Sequence, residues 1–367
     1  MRQIRKAASY CSRRGGGWQV RSRLLPQWRL VAISLMIGLP TASCTGSWQT
    51  AGAPPAAVKE FALAADQSVV GEVRHYVVQQ GDVFPDIARR FGVGYTALVT
   101  ANPGVDPWAP GAGREITIPS LYILPKAPRH GIVLNLAQWR LFYFPPGGNR
   151  VESFPVGLGK IGKTTPLGAT RVVHKEANPT WRPPPSIRAE RPELAAAVPP
   201  GRDNPLGAFA LYLGWQNYLI HGTNKPDGVG RNVSHGCVRM YPEDIERLFG
   251  EVAVGTPVRT VSQPATAGWV ADRLYLEVYP SKSQTEDIDV ARLVSVDPPP
   301  GVKTIVKAAA GRYADTVDWR AVDRAMRERS GAPVLIADRA ALAPQWNETK
   351  RSGEEEASIG RPFRLRL

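Results

Sequence analysis

From residue 130 to 262 the chain is written in short runs of β-branched and aromatic residues broken by Gly and Pro, a pattern that admits strands far more readily than long helices. Ile132-Val133-Leu134-Asn135-Leu136 and Arg140-Leu141-Phe142-Tyr143-Phe144 flank Ala137-Gln138 as the arms of a hairpin would. Further strand runs fall at residues 154–156, 170–173, 210–213 and 218–220. One helix is predicted after Pro242, with Glu243 and Asp244 in its first turn, Ile245, Leu248 and Phe249 on its apolar face, and Gly250 to stop it. Between 177 and 204 the chain carries Pro179, Pro183, Pro184, Pro185, Pro192, Pro199 and Pro200. A loop of that length inside a domain is expected to act as a lid or a substrate wall. The predicted class is α+β, with a mainly β domain over residues 128–262.

The segments around this domain read differently. Residues 1–43 carry Arg2, Arg5, Lys6, Arg13, Arg14, Arg21, Arg23 and Arg29 and no acid, then an apolar run from Leu30 to Leu39, then Thr41-Ala42-Ser43-Cys44. A basic stretch, a ten-residue apolar core and a small-residue exit are the parts of a secretory signal. Ten residues are too few to span a bilayer, which takes about 20. Ser12-Arg13-Arg14 resembles a twin-arginine signal, but Gly15-Gly16-Gly17 lacks the apolar residues that should follow. Thr41 to Cys44 also resembles a lipobox, so two fates stay open for Cys44: lipidation, or ordinary cleavage nearby. The formal net charge is +14, and eight of those charges belong to the leader. What remains is modest, with no basic run interleaved with aromatics, and argues against nucleic acid as a partner.

Residues 44–73 read as a linker, small and polar with an Ala/Pro stretch at 53–57. A compact βααβ unit is predicted over 74–120, with strands at 76–78 and 115–119, a helix over 86–91 closed by Gly92, and a second helical turn over 95–100. Residues 263–340 form a C-terminal extension, with Leu274, Leu276 and Val278 alternating as a last strand and a helix from Asp318 carrying Trp319, Val322 and Met326 on one side. From 341 to 367 the composition predicts a disordered tail.

The chemistry is predicted to sit between His221 and Arg239. The chain has three cysteines, Cys11, Cys44 and Cys237, and removal or lipidation of the first two leaves Cys237 with the free thiol. An exported protein has little reason to keep an unpaired thiol unless it reacts. Ile220-His221-Gly222-Thr223-Asn224 is followed nine residues later by Ser234-His235-Gly236-Cys237-Val238-Arg239. A thiol with a histidine nearby to depress its pKa, after a glycine that permits a tight turn, describes a Cys/His acyl-transfer site. A zinc site of His221, His235 and Cys237, with His174 as fourth ligand, would silence the thiol and is the weaker reading. No Ser-x-x-Lys, Gly-x-Ser-x-Gly or His-Glu-x-x-His string occurs. His75, His130 and His174 are taken as structural.

The run HGTNKPDGVGRNVSHGCVRM resembles the signature of the L,D-transpeptidase (YkuD-type) catalytic domain, and VLNLAQWRLFYFP, PVGLGKIGKTTPLGAT, NPTWRPP and GRDNPLGAFALYL extend the resemblance over about 130–262. YVVQQGD, IARRFGV, ANPG and ITIP over 74–120 resemble a LysM domain. The order of the two resembles the periplasmic ErfK/YbiS-type branch of Gram-negative bacteria. The resemblance implies a YkuD-like β-sandwich and a peptidoglycan substrate. Cys237 would attack the diaminopimelate carbonyl of a stem tetrapeptide, expel D-Ala and pass the acyl group to an amine of another stem or of a murein-anchored outer-membrane lipoprotein. His221 would be the base. Gly236 and Cys237 N–H groups with His235 would form the oxyanion hole, and Ser234 would orient a histidine. Arg239 would bind a donor carboxylate or make a structural ion pair, with Thr223 and Asn224 as further substrate contacts. In the LysM unit, Gly81, Asp82, Asn102 and Pro103 would border a glycan groove, although Val83 stands where many LysM repeats carry Thr. The resemblance implies neither cofactor nor metal, and contact with the membrane only through a lipid on Cys44. A carboxypeptidase or amidase hydrolysing the same bonds, and a non-catalytic wall-binding protein, are the alternatives.

Overall fold

The computed structural model describes residues 59–281, 284 and 299–340, so the leader, Cys44, the Ala/Pro stretch and the tail from 341 lie outside the described residues. The first described segment corrects the linker expected over 44–73. Residues β1 (Glu60–Ala62) and β2 (Val69–Gly71) are strands. The small module follows as β3 (Arg74–Val77), α1 (Phe84–Phe91), α2 (Tyr95–Ala101) and β4 (Glu115–Ile118), with β3 and β4 antiparallel. Phe84, Ile87, Ala88 and Phe91 recur at helical spacing and bury against Leu98, Ile116 and Ile118. Gly92 ends α1 at φ 64 with its N–H on the carbonyls of Ala88 and Arg89. Strand β5 (Leu121–Ile123) then pairs with β2.

The hairpin predicted around Ala137-Gln138 is β6 (Gly131–Asn135) and β7 (Arg140–Phe144), paired antiparallel across a 3-10 turn. Strand β8 (Arg150–Pro155) joins its edge, and β1 caps β8 in turn. Short β9 (Leu158–Gly159) precedes β10 (Gly168–Ala177). Helix α3 (Pro185–Glu190) lies within the proline-rich loop, after which come β11 (Phe209–Leu213), β12 (Leu219–His221), β13 (Asn232–Ser234), β14 (Val238–Arg239), α4 (Pro242–Glu251) and β15 (Pro257–Val261).

Nine of these strands hydrogen-bond in the order β1-β8-β7-β6-β15-β10-β11-β12-β14. Strand β10 belongs to both halves: residues 168–171 pair with β15, a register shift follows between Val172 and His174, and residues 174–177 pair with β11. A bulge there lets one strand turn from one layer into the next. Both halves contribute to one core, Ile132, Leu134, Leu141 and Phe154 meeting Leu211, Ile220, Val238 and Met240, with Ile245 and Leu248 of α4 against them. This is the expected sandwich.

Every residue of β6 and β7 is buried. Their second face, Val133, Phe142 and Phe144, packs under Leu63, Val70, Tyr122 and Leu124. The segment from 59 to 71 is therefore a cover for the sheet. The C-terminal residues add β16 (Ala265–Val270), β17 (Arg273–Val278), α5 (Val302–Ala310), α6 (Trp319–Glu328) and β18 (Val334–Asp338). Strands β16, β17 and β18 make an antiparallel sheet beneath the two helices, so the strand expected to be last is central. Asp318 caps α6, accepting from the N–H groups of Arg320 and Ala321. Among the described residues no helix is long and apolar enough to cross a membrane.

Candidate active site

Strands β12 and β14 run parallel, with Ile220 opposite Val238 and His221 opposite Arg239. Side chains alternate along a strand, so sending Ile220 and Val238 into the core sends His221, Arg239 and the preceding Cys237 to the other face. Two sequence segments 16 residues apart are thereby joined in one site.

His221 is 4 % exposed and its Nδ1 lies 2.6 Å from the Gly222 carbonyl oxygen. The carbonyl fixes the ring proton on Nδ1 and leaves Nε2 as the basic nitrogen. Burial, with Arg239 adding to it, holds the imidazole pKa down to about 3, so the ring is neutral at physiological pH. Burial also pushes the Cys237 thiol up, against the opposing pull of the Leu219 N–H and of Arg239. The sulfur lies 3.5 Å from the Asn217 carbonyl oxygen, toward which the S–H donates. The depressed thiol pKa expected from the neighbouring histidine is corrected: the resting pair is thiol and neutral imidazole.

The loop carrying Cys237 is fixed through its backbone. The Gly236 N–H donates to Ser234 Oγ at 3.1 Å, and Ser234 Oγ donates to the Cys237 carbonyl at 2.6 Å. Thr165 Oγ1 donates to the Gly236 carbonyl at 2.7 Å. Gly236 has φ 115, and a Cβ there would meet Tyr218 Cε1 at 2.9 Å, so only glycine suits the turn. These bonds correct two expectations. Ser234 orients the loop rather than a histidine, and the Gly236 N–H is already engaged. His235 departs too, since its Nε2 lies 2.9 Å from Glu190 Oε2 on α3.

Arg239 makes no ion pair among the described residues, and its buried Nε has no hydrogen-bond partner. The structural ion pair offered as its alternative role is therefore absent from them. Thr223 and Asn224 do not present free side chains. Thr223 Oγ1 closes a turn with the Lys225 N–H at 2.9 Å, and Asn224 Nδ2 donates to the Asp203 carbonyl at 3.1 Å.

The proline-rich loop is tied at its base. Trp181 and Val198 exchange backbone hydrogen bonds of 2.9 and 2.8 Å, and Asn204 Nδ2 reaches the carbonyls of Pro179, Val198 and Pro199. Its tip brings Glu190 to His235, to Lys163 at 3.2 Å and to Lys160 at 3.8 Å. His235, then Lys163, hold the Glu190 carboxyl down to about 2. Glu190, Lys163, Thr165 and Asn204 escaped the sequence reading. For Glu190 the available signal was an acid set between Arg188 and Arg191 in the presumed lid.

In the small module Asp82 accepts from Tyr76 OH at 2.7 Å, the Gln79 N–H at 2.8 Å and Arg90 at 3.2 Å. Buried Asn102 donates to the carbonyls of Leu98 and Thr117 and accepts the Thr117 N–H. Both side chains serve the fold and leave no free group for a sugar, whereas Gly81 and Pro103 are exposed. Among the described residues no group of three His, Cys, Asp or Glu side chains is placed to hold a metal ion.

Residues 129–260 match the YkuD family, the L,D-transpeptidase catalytic domain, and residues 76–119 match the LysM domain. The chain is 38% identical over 293 residues to the probable L,D-transpeptidase YcfS of Escherichia coli K12, covering 77% of this chain and 88% of that protein. It is 38% identical over 286 residues to the probable L,D-transpeptidase YbiS of the same organism, covering 75% and 91%. With the probable L,D-transpeptidase ErfK/SrfK of that strain it shares 40% over 257 residues, covering 68% and 81%. The joined His221 and Cys237 segments, the sandwich that joins them and relatives alike over most of their length make this chain a member of the L,D-transpeptidase family.

Proposed function

We propose that the protein is a cysteine-dependent peptidoglycan L,D-transpeptidase working in the periplasm, exported by its leader and either free or lipid-anchored through Cys44. The observation that carries the mechanism is the buried, neutral His221 paired in register with Arg239, one strand from Cys237. Cys237 Sγ adds to the diaminopimelate carbonyl carbon of a stem tetrapeptide as its proton passes to His221 Nε2. The tetrahedral intermediate collapses, the C–N bond breaks, and His221 returns that proton to the departing D-Ala amine. The remaining thioester is attacked by an acceptor amine, from another stem or from a murein-anchored lipoprotein. His221 takes the amine's proton and hands it back as the C–S bond breaks.

With the Gly236 N–H engaged, the Cys237 N–H is the backbone donor assigned to the oxyanion, at about 3 kcal/mol for such a group. Arg239, which pairs with no acid among the described residues, takes a donor carboxylate through its planar fork. Bringing an anion to Arg239 removes part of the field that depresses His221, so the base strengthens when the donor arrives. The LysM unit adds affinity for glycan strands, through Gly81, Pro103 and neighbouring backbone.

The test is incubation of purified protein with disaccharide-tetrapeptide. D-Ala release by the native protein, lost in a folded Cys237→Ala variant, is the expected result; undiminished release by that variant overturns the mechanism.

A further inference from the structure

Two lysines and a histidine are gathered beside the nucleophile loop, and the chain fills the space between them with its own carboxylate. Lys160 and Lys163 follow β9, and His235 adjoins Gly236. Their supports are rigid. The Lys160 N–H donates to the Ser234 carbonyl at 2.9 Å, the Lys163 N–H to the Lys160 carbonyl at 3.0 Å, and Gly159 packs so closely that a Cβ would meet the Lys163 carbonyl and Gly236 Cα.

The anion has no such support. No residue of α3 is buried, nor any residue from 184 to 200. Hydrogen bonds close the loop's base, the backbone bonds of residues 184–194 are local turns, and the tip meets the nucleophile loop through Glu190. The two lysines and His235 thus belong to the body of the site and the carboxylate to its cover. Arg239 adds positive charge on the inner side, whereas Arg191 rides on the cover beside Glu190. Once Glu190 leaves, the approach to Cys237 is cationic, and such a cleft concentrates anions.

A donor stem brings two suitable groups, the second carboxylate of diaminopimelate and the carboxylate of the terminal D-Ala, and Arg239 can fork with only one. We infer that Lys160, Lys163 and His235 form a second carboxylate subsite for the donor peptide, and that Glu190 is a resident stand-in which the substrate displaces as the cover lifts. This rests on the reading of the protein as acting on stem peptides.

Two experiments on the full chain separate the subsite from that reading. In the first, Cys237 is alkylated with iodoacetate and with iodoacetamide, and modification of that residue is followed by peptide mass spectrometry. Glu190→Gln should raise the iodoacetate-to-iodoacetamide rate ratio at least threefold, and Lys160→Gln/Lys163→Gln should lower it at least threefold. Ratios unchanged in both variants overturn the subsite, whatever the protein's substrate. In the second, KM is compared for tetrapeptide with diaminopimelate free or carboxamidated. The native protein should favour the carboxylate form several-fold, and Lys163→Gln should erase most of that preference; a preference kept intact overturns the assignment to the donor. Absence of D-Ala release by the native protein would instead count against the transpeptidase reading, with the alkylation ratios still deciding the subsite.

Discussion

Ser234 does more with one hydroxyl than its place in the motif announces, accepting from the Gly236 N–H and donating to the Cys237 carbonyl. Ser234→Ala leaves the buried Gly236 N–H and the part-buried Cys237 carbonyl without that partner, at about 1–3 kcal/mol by the cost of an unmet hydrogen bond. We expect kcat to fall well over tenfold with KM little changed, because the loop that aims the sulfur loosens while substrate contacts remain; steady-state kinetics beside a thermal melt checks this. The proposed pair of His221 and Cys237 has its own signature. With the thiol pushed up, alkylation of Cys237 by iodoacetamide should keep rising past pH 9, where an ordinary thiol of pKa about 8.5 is levelling off. His221→Ala should slow alkylation at neutral pH at least tenfold with near-ultraviolet circular dichroism unchanged; an unaltered rate removes His221 as base. The pair His221 and Cys237 was legible in sequence because a lone thiol and a histidine have few other reasons to share a motif. The roles of Ser234, His235, Thr223, Asn224, Asp82 and Asn102 were not. A short polar side chain beside a turn serves the nearest backbone group as readily as a ligand, and sequence does not say which.

At the scale of elements, α2 begins against the catalytic domain rather than in solvent. The Tyr95 and Thr96 N–H groups, which an isolated helix start would leave unmet, donate to the carbonyls of Val229 and Gly230 at 3.4 Å. Arg231 lies 3.8 Å over the Tyr95 ring, Arg89 forks onto Glu243 at 3.0 and 2.8 Å, and Arg140 reaches the Gly92 carbonyl. Contact is closest at Gly94 and Gly230. A Cβ on Gly230, at φ 83, would fall 2.3 Å from the Tyr95 nitrogen and 2.6 Å from Gly94 Cα. Gly230→Ala should therefore cost about 2–3 kcal/mol of strain and displaced packing, read as a lower urea midpoint, whereas Arg89→Ala at the rim should cost under about 1 kcal/mol. Hairpin β6–β7 and helix α4 were legible because their apolar pattern is local and long. Strands β1 and β2 were not, at three residues each, because their partners β8 and β5 lie far along the chain. Only pairing makes them strands, and the composition before them, Ala and Pro, says coil.

Taken whole, the protein carries three buried titrations, and two oppose the third: burial raises Asp244 to about 6 from 3.8 and also raises Glu277, whereas it lowers His221. His221 is held near 3 from its ordinary 6.5, so below pH 6.5 the unfolded chain takes up a proton that the folded one refuses, and stability falls toward pH 3. Glu277 is fully enclosed between β17 and its neighbours, and burial pushes it up to about 8 from 4.5, against donors from Ile123, Thr266 and Tyr279. Above pH 4.5 the unfolded chain releases a proton that the folded one keeps, so stability falls as pH climbs to 8. Between 4.5 and 6 Asp244 and Glu277 together outweigh the opposing slope of His221, giving a shallow decline that carries on above 6.5, where His221 no longer opposes Glu277. Urea midpoints measured from pH 4 to 9 should trace it, and Glu277→Gln should flatten the alkaline side; an unchanged alkaline fall would assign it to other groups. The placement of β1 also gives the molecule a mechanical character. Lys59 pairs with buried Asp244 of α4 and its carbonyl takes the Ser153 N–H, while Glu60 meets Arg150 and Arg247. A pull on the chain ahead of Lys59 is therefore borne first by the catalytic sheet and α4, in shear along β1 and β8, and the LysM unit lies off that load path, able to keep its seat while the pull lasts.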